Sequence, residues 1–157
     1  MVEHDPGVEK TILVRMGEWR EGADGDILVT NNLGSCIGIA IYEPISKKGF
    51  LLHEPLPEDG PGTYERFEDR LRQVFSDHPG SFERMRAWLA GGSDLLASAI
   101  TPGSEELVAQ NRKFVEEAMR DIGIPAGSVE VSWTPESNLS ASMTLDCSKG
   151  VCDIDFS

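Results

Sequence analysis

The stretch Ile37-Gly38-Ile39-Ala40-Ile41-Tyr42 decides the fold, because it is apolar without interruption and offers no face to solvent. A short apolar run of this kind, rich in β-branched residues, predicts a strand buried on both sides. Pro44–Lys48 then has the composition of a turn, and Gly49-Phe50-Leu51-Leu52-His53 resumes an extended segment. The sequence therefore predicts a hairpin with Cys36 at the start of one strand and His53 near the end of the other.

On the N-terminal side of this hairpin, short apolar segments alternate with turns. Thr11–Arg15 is the first apolar segment, where ordered structure is expected to begin; Met16–Gly25 predicts a turn, and Asp26–Thr30 predicts a short strand. The segment Asn31–Ser35 contains residues that tolerate positive φ or bond to their own backbone. It predicts that the strand ends abruptly and that a tight loop leads into Cys36.

On the C-terminal side, the pattern predicts two helices and further strands. Apolar residues recur at helical spacing over Tyr64–His78 and over Ser104–Ile122, so each segment predicts an amphipathic helix. Strands are predicted over Met85–Ala90, which ends in the Gly91–Gly92 turn, and over Val129–Trp133, Ala141–Leu145 and Gly150–Ile154. Together these elements predict an α/β (α+β) fold, a layered β-sandwich flanked by helices.

Length and composition limit the domain organisation and the classes of partner. A chain of 157 residues predicts one globular domain, with a flexible polar arm over residues 1–10 and the domain over residues 11–157. The formal net charge is −13 and the few basic residues are dispersed, which argues against nucleic acid as a partner. No apolar run is long enough for membrane insertion and the N-terminus does not resemble a signal peptide, so we expect a cytoplasmic protein. An odd number of cysteines, three, favours reduced thiols.

The residues with the clearest chemical potential are Cys36 and His53. A thiol becomes a nucleophile near neutral pH when a base removes its proton or an imidazolium stabilises the thiolate, and the predicted hairpin can bring the two side chains together. Backbone N–H groups around Gly34 and Ser35 can stabilise an oxyanion, because Gly34 allows the chain to turn them inward. The alternative is structural: Cys36 as a small buried apolar residue and His53 as a residue that supports a turn.

The other two cysteines suggest a weaker alternative. Cys147 and Cys152 flank a Ser-Lys-Gly turn and could join Cys36 or His53 as zinc ligands, but their spacing is loose for a structural zinc site. We therefore expect no metal. Of the three thiols, Cys36 alone follows a glycine-containing loop and has an imidazole nearby in the predicted hairpin, so we expect it alone to have a lowered pKa.

The ordered motifs around Cys36 resemble those of the chemoreceptor glutamine deamidase family, CheD. The family has a threonine, a Leu-Gly-Ser-Cys turn and a Gly-x-x-x-His-x-x-Leu-Pro segment, which correspond here to Thr30, to Leu33–Cys36 and to Gly49–Pro57. The Gly91–Ser93 segment also resembles the family's Gly-Gly-small turn. By this resemblance Cys36 is the nucleophile, His53 the general base and acid, and Thr30 the residue that supports the pair.

The resemblance implies a CheD-like fold and a protein-glutamine deamidase that converts glutamine to glutamate on chemoreceptor cytoplasmic domains, in chemotaxis and without a cofactor. It also implies a CheC-type phosphatase as a partner. One alternative is a non-catalytic binding module that regulates such a signalling partner, and another is a cysteine hydrolase acting on a different amide or ester. The segment Thr134–Ser142 departs from the family's glycine- and arginine-containing turn, which predicts a changed surface for substrates or partners.

Overall fold

The computed structural model describes residues 10–55, 82–93, 104–135 and 139–157, together with the single residue Gln73. Apart from Gln73, these residues form nine strands, one α-helix and two short 3-10 turns, Phe82–Arg84 and Ala126–Ser128. The strands and the helix are β1 (Lys10–Leu13), β2 (Trp19–Gly22), β3 (Asp26–Leu33), β4 (Ile37–Glu43), β5 (Lys48–Glu54), β6 (Arg86–Gly91), α1 (Ser104–Asp121), β7 (Val129–Trp133), β8 (Ala141–Asp146) and β9 (Val151–Phe156).

The strands form two sheets. The smaller sheet has the order β1-β3-β8-β9, and the larger has the order β2-β5-β4-β6-β7. Strand β4 pairs with β5 on one side and with β6 on the other, both antiparallel. Strands β6 and β7 are parallel neighbours, and α1 lies between them in the sequence. The predicted hairpin is therefore confirmed as the β4–β5 pair.

Strand β4 is buried along its whole length because both of its faces contact other layers. Its residues Ile37, Ile39 and Ile41 belong to the apolar cluster that includes Val115 and Met119 of α1. On the opposite face, Ala40 and Tyr42 belong to a second cluster that includes Leu28, Met143 and Leu145 of the smaller sheet. Each fully buried side chain of this size stabilises the fold by roughly 1.5–3 kcal/mol. The architecture is thus an α+β sandwich of two sheets, with α1 packed on the outer face of the larger one.

Most of the predicted elements in the described residues are confirmed, and two predictions are wrong. The segment Met16–Gly25 contains β2, which pairs antiparallel with β5; this tertiary pairing outweighs the local turn composition. Strand β3 does not end at Thr30 but continues through a bulge to Leu33, which is fully buried and pairs with Ala141. Burial of Leu33 between the sheets explains why the strand continues past two asparagines.

Some predictions fall outside the described residues. Of the predicted helix over residues 64–78, the structure describes only Gln73, which is helical. Nine of the ten residues of the predicted N-terminal arm and residues 136–138 of the divergent segment also lie outside. Among the described residues, no helix is sufficiently long and apolar to span a bilayer.

Candidate active site

His53 lies buried between the two sheets and is held by a threonine of the facing sheet. Its Nδ1 atom is 2.7 Å from Thr30 Oγ1, and the Thr30 hydroxyl donates to the carbonyl of Val14 at 2.8 Å. A carbonyl can only accept, so the single hydroxyl proton goes to Val14, and Thr30 Oγ1 accepts from Nδ1–H. The Nδ1 atom of His53 therefore carries a proton, which leaves Nε2 of the neutral ring free to accept one.

A glycine allows the two sheets to approach at this point. Gly38 of β4 stands directly opposite His53 of β5 in the strand register. A Cβ atom at Gly38 would collide with Met143 Sδ and would lie 2.6 Å from Leu33 Cδ1. The missing side chain lets the facing sheet pack closely, and close packing brings Thr30 to His53.

Burial also sets the protonation state of His53. The side chain is 4% exposed, and desolvation lowers the pKa of His53 below its ordinary value of 6.5. Near pH 7 the ring is consequently neutral, which is the state that a general base needs.

Cys36 lies at the same end of the β4–β5 pair as His53 and on the same face. It precedes Ile37, which pairs with Glu54, so it is the diagonal neighbour of His53 across the Gly38–His53 pair. It packs against the same inter-sheet cluster that lies on this face. Diagonal neighbours lie roughly 7–8 Å apart, with somewhat closer Cβ atoms, which is within reach of long or aromatic side chains. The register thus places Cys36 and His53 as diagonal neighbours on one face, and their catalytic roles stay a prediction.

The loop Gly34–Cys36 is fixed by the turn that follows β6. The N–H of Gly92 donates to the Cys36 carbonyl at 2.9 Å, and the N–H of Ser93 donates to the Gly34 carbonyl at 2.8 Å. A Cβ atom at Gly91 would collide with the Cys36 carbonyl oxygen, and the φ of Gly91 is 85°. The glycine-rich turn is therefore required by a close approach of two backbones as well as by positive φ.

Two N–H groups of this loop are suited to stabilising an oxyanion. The N–H of Gly34 donates to the Asn32 carbonyl at 3.0 Å, so Gly34 shapes the loop and does not supply a free donor. The Gly34 carbonyl points at Ser93, and in a trans peptide the N–H of Ser35 points the opposite way. Within the described residues, no backbone carbonyl outside the strand ladders accepts from the N–H of Ser35 or Cys36. The N–H groups of Ser35 and Cys36 are thus the candidate donors, and that of Cys36 also lies within hydrogen-bond reach of its own thiol.

The prediction of a lowered pKa for Cys36 is wrong for the free protein. Burial raises the pKa of the Cys36 thiol, and the neighbouring carboxylate of Glu54 raises it further, whereas a hydrogen bond from its own backbone N–H lowers it. Burial raises the pKa values of Cys147 and Cys152 to about 12. The Cys36 thiol is therefore protonated at neutral pH, and a base must remove its proton during attack.

The two remaining cysteines lie far from this site. The N–H of Cys147 donates to the carbonyl of Asp26, at the start of β3, at 2.9 Å. Cys36 follows the other end of this strand of eight residues, roughly 23 Å away along an extended chain. Among the residues the structure describes, no group of three or more His, Cys, Asp or Glu side chains is placed to hold a metal ion. Cys147 and Cys152 instead pack in the core between the sheets.

A cleft of about 300 Å³ lies beside His53. Its lining combines apolar, amide and cationic side chains, with Leu13 and Met16 47% and 66% exposed. The lining residues are Leu13, Val14, Arg15, Met16, Asn31, Asn32 and His53. The bulge in β3 leaves Asn31 and Asn32 consecutively exposed, where a regular strand would alternate. The cleft therefore presents two exposed amide side chains and apolar surface next to the imidazole.

Sequence reasoning missed several contributors to this arrangement. Val14 contributes its backbone carbonyl, which accepts from the Thr30 hydroxyl, and no pattern of side chains predicts such a contact. The Arg112 side chain donates twice to the Gly92 carbonyl and comes from a helix distant in the sequence. Only the Gly91–Gly92 pair gave a signal, because adjacent glycines indicate an unusual backbone turn.

The chain shares sequence with proteins named for one activity. It is 34% identical over 122 residues to the probable chemoreceptor glutamine deamidase CheD of Haloarcula marismortui, a match covering 73% of this chain and 69% of that protein. It is 33% identical over 123 residues to the protein of the same name from Archaeoglobus fulgidus, covering 72% of this chain and 74% of that one. The chain belongs to the CheD family. The chemoreceptor glutamine deamidase CheD of Thermotoga maritima is 27% identical over 118 residues, covering 71% and 73% of the two chains.

One solved structure agrees with the α+β sandwich of this CheD family member. The crystal structure of Neisseria meningitidis protein NMB0706, described as DUF152, matches with a TM-score of 0.50 at 9% identity, covering 83% of this chain. The CheD-family chain spans 65% of the length of that protein and 47% of Bacillus licheniformis YfiH, which matches with a TM-score of 0.47. At such low identity the likeness concerns the fold alone. A scan against models of known protein families gives no match.

Proposed function

We propose that this protein is a cytoplasmic, cysteine-dependent glutamine deamidase that converts side-chain glutamine to glutamate on chemoreceptor cytoplasmic domains. The observation that carries the proposal is the buried Thr30–His53 contact of 2.7 Å, which leaves Nε2 of a neutral ring able to accept a proton at the end of the hairpin where Cys36 lies. Membership of the CheD family supports both the reaction and the substrate, since its relatives are named for that activity.

In the first half of the reaction, Cys36 Sγ attacks the side-chain amide carbon of glutamine while His53 Nε2 takes the thiol proton. The new S–C bond produces a tetrahedral intermediate whose oxyanion is stabilised by the N–H groups of Ser35 and Cys36. The C–N bond then breaks, and His53 delivers its proton to the leaving ammonia. A thioester remains on Cys36.

In the second half, water attacks the thioester carbon as His53 Nε2 takes a proton from it. The S–C bond breaks, the Cys36 sulfur regains a proton from His53, and the product is the glutamate side chain. Because the pKa of Cys36 is raised, the thiol and imidazole start neutral and the proton moves as the bond forms. The protein residues supply every group of this cycle, and the proposal requires no cofactor.

The cleft next to His53 supports glutamine as the reacting side chain. The amides of Asn31 and Asn32 can donate to and accept from a primary carboxamide, and Leu13 and Met16 offer apolar surface to the flanking residues of a protein substrate. A CheC-type phosphatase as a partner stays a prediction from the resemblance.

The proposal is tested by incubating the protein with receptor cytoplasmic domains and following the conversion of glutamine to glutamate by mass spectrometry, a gain of about 1 Da per site. We expect conversion by the native protein and none by the Cys36→Ala variant. Tight binding of receptor domains without conversion would instead favour a non-catalytic binding module. Turnover of simple esters or other amides, without turnover of receptor glutamine, would favour a cysteine hydrolase of different specificity.

A further inference from the structure

We infer that Arg112 is a positioning residue that holds the Cys36 loop in its reactive arrangement through the carbonyl of Gly92. This inference rests on the proposed function and adds to it a residue of α1, outside all of the motifs around the thiol.

The first link is between helix and turn. Arg112 Nε and Nη2 donate to the Gly92 carbonyl oxygen at 2.9 Å and 2.6 Å. The guanidinium also lies over the ring of Trp133, at 5.7 Å from its centroid, so β7 holds the group from a second direction. Two donors on one acceptor, combined with a cation–π contact to Trp133, restrict the position of the carbonyl more than a lysine ammonium could.

The second link is between turn and nucleophile loop. Gly92, whose carbonyl accepts from Arg112, also donates its N–H to the Cys36 carbonyl at 2.9 Å. The N–H of Ser93 donates to the Gly34 carbonyl at 2.8 Å. On the other side, Thr134 N–H donates to the Gly91 carbonyl at 3.0 Å. The turn is thus held at Gly91 and Gly92 and transmits its position to the peptide units on both sides of Ser35 and Cys36.

These peptide units enclose the groups that the reaction needs. Because each peptide is planar, fixing the Gly34 carbonyl also fixes the direction of the Ser35 N–H in the same unit. Fixing the carbonyls of Gly34 and Cys36 anchors both ends of the Ser35–Cys36 peptide, which bears the Cys36 N–H. A shift of the turn would move the thiol relative to His53 and turn the Ser35 N–H away from the oxyanion. Misplacement of reacting groups by about 1 Å can cost roughly a hundredfold in rate.

The test compares Arg112→Gln with Arg120→Gln, a change of the same chemistry at an exposed position of the same helix. For Arg112→Gln we expect a roughly tenfold or larger loss of kcat for deamidation with KM changed less than about threefold. We also expect slower alkylation of Cys36 by iodoacetamide at neutral pH, with its pH profile moved to higher pH. Arg112→Lys should retain part of the kcat and part of the alkylation rate that Arg112→Gln loses. Arg120→Gln should match the native protein in both quantities.

Identical alkylation profiles for Arg112→Gln and Arg120→Gln, together with equal kcat values, would overturn the inference even if the Arg112 variant melts at a lower temperature. If Arg112→Gln does not fold, the Arg112→Lys variant tests the inference instead. An alkylation profile and a kcat equal to those of the native protein would overturn the inference. A partial loss of kcat together with slower alkylation would support it. Alkylation of Cys36 requires no receptor. A native protein that fails to deamidate any receptor would therefore contradict the proposed function, and the alkylation profiles alone would then decide the role of Arg112.

Discussion

The Thr30 hydroxyl determines which nitrogen of His53 carries a proton, because it donates to Val14 and must accept from Nδ1. We expect Thr30→Val to lower kcat by roughly tenfold to a thousandfold, since the ring loses its orientation and its fixed tautomer. Thr30→Ser retains the hydroxyl and serves as the matched control, with an expected loss of no more than a few fold. Steady-state kinetics of the two variants measure the effect. Equal kcat values in both variants would show that the hydroxyl does not orient the base.

Thr30→Val also removes the hydrogen-bond donor of a buried carbonyl. The unfolding free energy should fall by about 1–3 kcal/mol, the usual cost of leaving such a group unsatisfied. Urea denaturation of the valine and serine variants separates this structural cost from the loss of catalysis.

The carboxylate of Glu54 opposes ionisation of the neighbouring thiol. Replacing it by the neutral isostere in Glu54→Gln should therefore lower the pKa of Cys36 and speed its alkylation at pH 7–8 by roughly two- to fivefold. Glu21→Gln, which removes an exposed carboxylate of the neighbouring β2, should leave the rate unchanged. A slower reaction in Glu54→Gln than in Glu21→Gln would contradict the electrostatic account.

The residues of the candidate site could be named from the sequence, but their electrostatic states could not. Cys36 and His53 follow from spacing along the predicted hairpin, which determines which side chains share a face, and Thr30 follows from the resemblance to the CheD family. The pKa of Cys36 depends on how much solvent the packed sheets exclude and on where Glu54 lies, and both depend on tertiary structure. For the same reason, the sequence analysis gave no indication of the Val14 carbonyl or of Arg112.

The turn after β6 depends on glycine for two separable reasons, positive φ and close backbone contact. Gly17 and Gly91 have similar φ angles of 82° and 85°, but a Cβ atom at Gly17 would meet nothing within 4 Å, whereas one at Gly91 would collide with the Cys36 carbonyl. We expect Gly17→Ala to lower the unfolding free energy by about 1–2 kcal/mol, the cost of a left-handed conformation for a residue with a Cβ atom. Gly91→Ala should cost roughly 1–3 kcal/mol more, by overpacking, and should slow alkylation of Cys36.

Denaturation of both variants and alkylation of Cys36 by Gly91→Ala test this account. Equal destabilisation in the two variants would mean that the loop can move away from the turn without cost.

Among strands and turns, the long apolar runs were predictable and the short edge elements were not. Strands β4 and β5 are predictable from their apolar composition, because both faces of each strand are buried. Strand β2 has the sequence Trp-Arg-Glu-Gly, and it is a strand only because β5 offers it a pairing edge. The bulge and the end of β3 likewise depend on the pairing of Leu33 with Ala141 of β8, which no local pattern specifies.

The layered core as a whole makes the folded state sensitive to pH in two opposite directions. Burial lowers the pKa of His53, so the unfolded chain binds a proton near pH 6.5 that the folded protein resists, and stability should fall as the pH decreases below about 6.5. Burial raises the pKa values of Cys147 and Cys152 from 9.0 to about 12, so the unfolded chain releases protons that the folded protein keeps. Stability should therefore also fall as the pH increases above about 9.

Urea denaturation across this pH range measures the loss of stability at acid pH and the loss at alkaline pH. Each thiol should contribute a slope of up to about 1.4 kcal/mol per pH unit above pH 9, and Cys147→Val should reduce the alkaline slope. An alkaline slope that is unchanged in Cys147→Val would contradict the assignment of the alkaline loss to the buried thiols.

The central claim is that Cys36 forms a thioester with the glutamine side chain, and competition between water and hydroxylamine tests it most directly. Hydroxylamine captures a thioester as a hydroxamate, a product heavier than the original amide by one oxygen atom. With receptor cytoplasmic domains as substrate, we predict glutamate and hydroxamate together from the native protein and neither product from Cys36→Ala. Deamidation that persists in Cys36→Ala, or that proceeds in the native protein without any hydroxamate, would contradict the account.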